Sequence, residues 1–197
     1  MIKDNLIAII ELGNVRCGIA KKKEMHNALL RFKDSGKRII VYSREYISNS
    51  NYYLISMADE IYTHRMAEID LRGTNIEMTF LRGLLDTLSI VPEVIRISPY
   101  KTAADPILNR KMSDEMRENY TELSNDIYNS FVKDISVAKN ISINEAIMMI
   151  DKGPYINTLR AIEENVITGV MFPDEFDDYI NDINNKSIRI IKSENHK

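Results

Sequence analysis

Cysteine is almost missing from this chain of 197 residues. Cys17 stands alone, which excludes an internal disulfide framework and any multi-cysteine metal site. Glycine is scarce as well, with seven in all, and no Gly-x-Gly-x-x-Gly or Gly-x-x-x-x-Gly-Lys run follows an apolar stretch. Dinucleotide and P-loop chemistry therefore lose their main support. A Gly-x-Ser-x-Gly elbow, the mark of an α/β-hydrolase triad, is also absent. Long apolar runs are lacking: the longest, Leu6 to Ile10 and Ala146 to Ile150, are five residues each, against the ~18 that span a bilayer. No basic stretch followed by an apolar region opens the chain, so no signal peptide is expected in this stretch, whatever a longer parent carries. Positive charge is not in excess. With 26 basic and 29 acidic residues the net charge is −3, which leaves no electrostatic footprint for nucleic acid. His26, His64 and His196 lie far apart, none with a second histidine or a cysteine at ligand spacing, so neither a metal site nor a cofactor is expected.

What is present is an alternation of apolar patterns with the composition of one soluble globular domain, 44% hydrophobic and 28% charged. Leu6 to Leu12 and Arg38 to Ser43 are rich in β-branched residues and read as strands buried on both faces of a parallel sheet. Between them Met25, Ala28, Leu29 and Phe32 recur at helical spacing over Lys21 to Ser35, with Gly36 as the stop. The run Lys21-Lys22-Lys23 reads as the solvated start of that helix. Asn51 to Ala58 predicts a short helix, Glu60 to His64 a strand, Met78 to Leu88 a second crossover helix and Glu93 to Ser98 a further strand. Ser113 can cap a helix of roughly 25 residues, Ser142 and Glu145 have capping-box spacing, and Thr158 to Val166 closes at Gly169. From Asp174 onward the sequence is polar, and the pair Asp177-Asp178 there reads as a solvated face.

One segment carries chemistry, Tyr100-Lys101-Thr102-Ala103-Ala104-Asp105-Pro106. A lysine just past a strand end stands where open α/β sheets bind ligands. If its ammonium is desolvated, the neutral amine can serve as a general base; the competing reading is a surface lysine that starts a loop.

That segment, followed by Met112 to Glu118 (MSDEMRE), resembles the catalytic-lysine region of the signal peptide peptidase A, or protease IV, family. Ala28 to Lys37, Asn51 to Ser56 and Ala58 to Tyr62 agree with it, and the match runs from about Asp4 to Phe172. The resemblance implies an α/β fold similar to the Clp protease and crotonase, a mostly parallel twisted sheet flanked by helices. Its expected extent is 1–172, an incomplete half-domain truncated at the N-terminus, with 173–197 as a polar C-terminal segment or tail. It implies a serine endopeptidase with a Ser/Lys dyad, a known variant of triad logic, in which Lys101 is the base. Where short family members carry Ala-Ser-Gly-Gly-Tyr-Tyr, this chain has Ser48-Asn49-Ser50-Asn51 before Tyr52-Tyr53, so Asn49 stands at the nucleophile's place.

A carboxamide cannot replace the hydroxyl. The chain thus resembles the amino-terminal copy of long, duplicated members, which keeps the lysine while the carboxyl-terminal copy brings the serine. Implied partners are that serine-bearing domain, apolar signal peptides and other copies of the protein. The implied setting is the extracytoplasmic face of a membrane to which the parent is anchored. Two alternatives stay open: a non-catalytic assembly or substrate-groove domain with Lys101 as a vestige, and crotonase-like acyl-thioester chemistry, favoured by fold analogy alone. Ser48 or Ser50 would gain a role only if the chain cleaved peptides by itself.

Overall fold

A computed structural model describes residues 6–184. The chain divides into two compact units, one made of residues 6–72 and 132–184 and the other of Gly73–Phe131.

The first unit is built on four parallel strands in the order β1 (Ile7–Leu12), β2 (Arg38–Ser43), β3 (Glu60–Thr63) and β4 (Gly169–Val170). Ile9 lies opposite Ile40, Val41 opposite Ile61 and Tyr62 opposite Gly169. β2 is central, and Ile39, Ile40 and Val41 are fully buried, as the β-branched run requires. β1 is an edge, and its Ile9 and Ile10 are only half-buried. α1 (Ile19–Asp34) connects β1 to β2, and Gly36 ends it with φ +83°, a left-handed stop natural to glycine. α2 (Asn49–Ile55) connects β2 to β3. The return to the sheet runs through α6 (Ile143–Asp151), whose Ser142–Glu145 capping box forms in both directions, and α7 (Thr158–Glu163). The α7 stop is Asn165 at φ +57°, not Gly169, which instead joins β4, where an added β-carbon would come 3.3 Å from the Tyr62 ring.

The second unit holds α3 (Arg82–Thr87), α4 (Asp105–Leu108) and most of α5 (Asp114–Lys139), which ends in the first unit. The crossover helix expected over Met78 to Leu88 shrinks to α3, with no buried side chain. The strand expected over Glu93 to Ser98 does not form, and Ile95 and Ile97 are 97% and 88% exposed. β-propensity needs a ladder to act on, and the place beside β3 is taken by β4.

The C-terminal segment departs from expectation too. Of the 173–197 stretch read as a polar segment or tail, the start folds as α8 (Pro173–Asn184). Phe176 joins Ile7, Ile40 and Tyr42 in a buried cluster, stacks on the Tyr42 ring at 4.4 Å, and is flanked by Tyr179, Ile180 and Ile183. Four apolar residues at helical spacing hide among the acids that make the stretch polar on average. Residues from 185 on, His196 among them, lie outside the described part.

Candidate active site

The lysine-bearing turn is held by a buried carboxylate. Asp105 is 0% exposed; its Oδ1 accepts Arg96 Nη2 at 2.5 Å and its Oδ2 accepts the Ser113 hydroxyl. Ser113 Oγ also accepts the Met116 N–H at 3.2 Å, which caps α5. One carboxylate thus ties the turn to the start of the long helix and to the irregular segment carrying Arg96. Pro106 stands in the first turn of α4, where its missing N–H costs nothing, and its carbonyl accepts the Leu81 N–H at 2.6 Å. The Tyr100 hydroxyl donates to Glu118 at 2.9 Å, which pushes the phenol's pKa up.

Lys101 lies at the start of a short 3₁₀ turn, Thr102–Ala104, its N–H on the Ser98 carbonyl at 3.1 Å. No strand precedes it. Its side chain is exposed and makes no hydrogen bond or ion pair with the described residues.

The segment at the nucleophile's place belongs to the first unit. Asn49 Oδ1 accepts the Arg72 N–H at 3.2 Å, so the amide is committed to backbone. Ser48 caps α2, its hydroxyl accepting the Asn51 N–H at 3.3 Å. The two tyrosines anchor the helix: the Tyr52 hydroxyl donates to the Val166 carbonyl at 2.9 Å, and that of Tyr53 to Asp134 at 2.7 Å. Burial raises both phenols well above their ordinary range, and for Tyr53 the Asp134 hydrogen bond adds to it.

Lys22 is the residue that reading the sequence missed. Taken there as part of a solvated run, it is only 3% exposed. Its Nζ donates to Ser50 Oγ at 2.6 Å and to Asn51 Oδ1 at 2.7 Å. The expected apolar face of α1 is not the buried one: Met25 is exposed, and the residues turned inward are Lys22 and His26. Spacing of four residues between a lysine and a histidine was the available signal. Burial lowers the pKa of Lys22 against a smaller opposing effect of Cys17. His26 stacks on Tyr53 at 4.7 Å, with Nδ1 2.9 Å from the Tyr53 carbonyl, and burial lowers its pKa too. Among the described residues no group of three or more His, Cys, Asp or Glu side chains could hold a metal ion.

Residues 31–175 match the sequence pattern of Peptidase family S49. The chain belongs to Peptidase family S49. Over 138 residues it is 33% identical to Protease 4 of Haemophilus influenzae, covering 70% of this chain and 22% of that protein. Over 167 residues it is 29% identical to the chloroplastic serine protease SPPA of Arabidopsis thaliana, covering 84% of this chain and 24% of that one. The chain thus spans about a quarter of the length of these curated relatives. A crystal structure of a peptidase from Plasmodium falciparum aligns with a TM-score of 0.49 at 8% identity, over 86% of this chain and 80% of that one. The parallel sheet flanked by helices accords with the α/β architecture expected of S49. No helix among the described residues is long and apolar enough to cross a membrane.

Proposed function

We propose that this S49 domain works as half of a protease active site, with Lys101 as general base for a serine that another domain brings. In that reading Lys101 takes the proton of the serine hydroxyl and returns it to the leaving amine. The observation that carries it is a lysine turn pinned through buried Asp105; the asparagine at the nucleophile's place, its amide spent on Arg72, leaves that position without a serine. Exposure of Lys101 fits the reading, because a base completed from outside must be open on the side from which the serine comes. The substrates would be signal peptides or other apolar peptides, bound extended by strand addition with side chains in alternate pockets. The parent would be membrane-anchored with this domain on the extracytoplasmic side, and would assemble with further copies of itself.

The deciding experiment is Lys101→Ala in the full-length parent, with peptide turnover as readout. Turnover is expected to fall by roughly 10²- to 10⁴-fold, the usual contribution of a positioned base, while the 197-residue chain alone leaves peptides uncut. A second reading, a domain kept for assembly or for shaping a groove, is favoured by the lack of any partner for the Lys101 side chain among the described residues. Unchanged turnover in the variant would leave only that role.

A further inference from the structure

The first unit contains a nucleophile and base pair that the S49 reading does not use. Lys22 and Ser50 belong to different helices, α1 and α2, so their contact is made by the fold and not by sequence proximity. Their 2.6 Å separation is within the reach required of a base and the hydroxyl it activates. The two ends are divided as such a pair needs: the amine is almost wholly shielded, whereas Ser50 is exposed. A third group orients the base, since Asn51 Oδ1 accepts from the same nitrogen at 2.7 Å, and Asn51 is itself buried. Nucleophile, base and orienter within hydrogen-bond reach of one another is the general signature of covalent catalysis.

The charge state follows from the surroundings. No carboxylate among the described residues pairs with Lys22, and an ammonium shielded from water without a counter-ion is costly. When the amine gives up its proton, Asn51 still holds one N–H, and the lone pair is left facing the Ser50 hydroxyl. The lowered pKa of Lys22 runs in the same direction. Ser48 cannot take the nucleophile's part equally well: its Oγ lies 3.5 Å from Ser50 Oγ and is engaged as the α2 cap.

We propose that Lys22 and Ser50 form an acyl-transfer site of this chain's own, which accepts small acyl groups from esters with a good leaving group and works independently of Lys101. Ser50 Oγ attacks the ester carbonyl, a carbon–oxygen bond forms to the serine, and the bond to the leaving alcohol breaks. Lys22 receives the hydroxyl proton and gives it to the departing oxygen. Water then attacks the acyl-serine, Lys22 takes its proton and returns one to Ser50 Oγ, and the carboxylic acid leaves. Ester and water become acid and alcohol, with no other reactant. The open position of Ser50 suits a small acyl group.

The test uses the 197-residue chain and p-nitrophenyl acetate, following p-nitrophenol release and mapping the acetylated residue by mass spectrometry. Acetyl is expected on Ser50. It should vanish in Ser50→Ala and form roughly 10²- to 10⁴-fold more slowly in Lys22→Met, as loss of a general base predicts. Ser50→Ala replaces an exposed side chain, so it keeps the experiment decisive if Lys22→Met fails to fold. Acetyl on Lys22 or Ser48 in place of Ser50, equal rates in the Lys22→Met protein, or label persisting in Ser50→Ala would each overturn the proposal. None of these outcomes bears on peptide turnover by the full-length parent, which tests Lys101 separately.

Discussion

Lys22 and Lys101 are the same side chain in two different units, and their surroundings are opposite. Lys22 lies over a sheet-based unit in which Ile39, Ile40, Val41, Ile47, Ile61, Ile69 and Leu71 are sealed from water. That unit strips solvent from other titratable groups as well: burial lowers His26, and Lys139, donating to the Asn165 and Val166 carbonyls, is brought down to about 8 by burial. Between residues 73 and 131 the only buried apolar side chains are Met116 and Phe131, while Leu84, Leu88, Val91, Ile95 and Ile97 face out. Without a core beneath it a lysine keeps its hydration, whatever motif it stands in. The contrast explains how a motif can point to Lys101 while the desolvated amine is elsewhere in the chain.

The sharpest way to break the first unit is at Gly153. A β-carbon there would lie 1.7 Å from the Leu71 carbonyl oxygen and 3.3 Å from that of Ile150. Backbone cannot yield as a flexible side chain does, and the close approach sits where Ile69 and Tyr155 exchange backbone hydrogen bonds at 2.8 and 3.0 Å. Gly153→Ala is expected to cost on the order of 4 kcal/mol, the range reserved for strain and core disruption, read as a fall in urea midpoint. A loss below about 1 kcal/mol would show that the two backbones can separate freely.

The second unit should break at a polar residue instead, because a polar residue is what holds it. Asp105→Ala leaves the Arg96 guanidinium without its partner and removes the tie from Ser113 to the turn. Arg96 is partly exposed and can find water, so the expected cost is about 2 kcal/mol, below that of a fully buried pair. Amide exchange should quicken at residues 100–106 and the first turn of α5, and stay as slow as before in β2. Equal quickening in both units would mean that they unfold as one, and the contrast drawn between them would fail.

The division between what could be read beforehand and what could not follows the same line. β1, β2, β3, α5 and α6 were legible because their cores or caps are written locally, in β-branched runs, in Ser113 and in the Ser142–Glu145 box. Glu93 to Ser98 misled because its pattern is that of a strand while no partner strand is available to it. α8 was missed because its apolar residues, Phe176, Tyr179, Ile180 and Ile183, are diluted by acids to a polar average. At the candidate site, Lys101 and the substitution at Asn49 came from resemblance to a family, which carries residue identity and no information on solvation. Lys22 was legible in neither way. Its burial is decided by α2 lying against α1, a contact between residues 28 and 29 positions apart.

A smaller effect refines the claim that the first unit desolvates what it holds. His26 Nδ1 faces the Tyr53 carbonyl and so carries the proton, which leaves Nε2 as the unprotonated nitrogen, buried without a hydrogen-bond partner among the described residues. A second proton would have to be placed on that nitrogen, out of reach of water. Burial therefore lowers the folded-state pKa below the ordinary 6.5, outweighing the opposing pulls of the Tyr53 carbonyl, Asp134 and the Leu54 backbone, with Lys23 lowering it slightly further. Because the unfolded chain then binds the proton more readily than the folded one, the stability this imidazole contributes is complete above about pH 6.5. It drains away as the pH falls from there toward the lowered value. Comparing melting temperatures at about pH 7.5 and about pH 5.5, the wild-type chain should lose a few degrees that His26→Phe does not lose, since phenylalanine can retain the stack on Tyr53 without titrating. Parallel curves for the two proteins across that window would show that water reaches the ring, and with it that the amine one helical turn earlier, Lys22, is not as dry as its burial indicates.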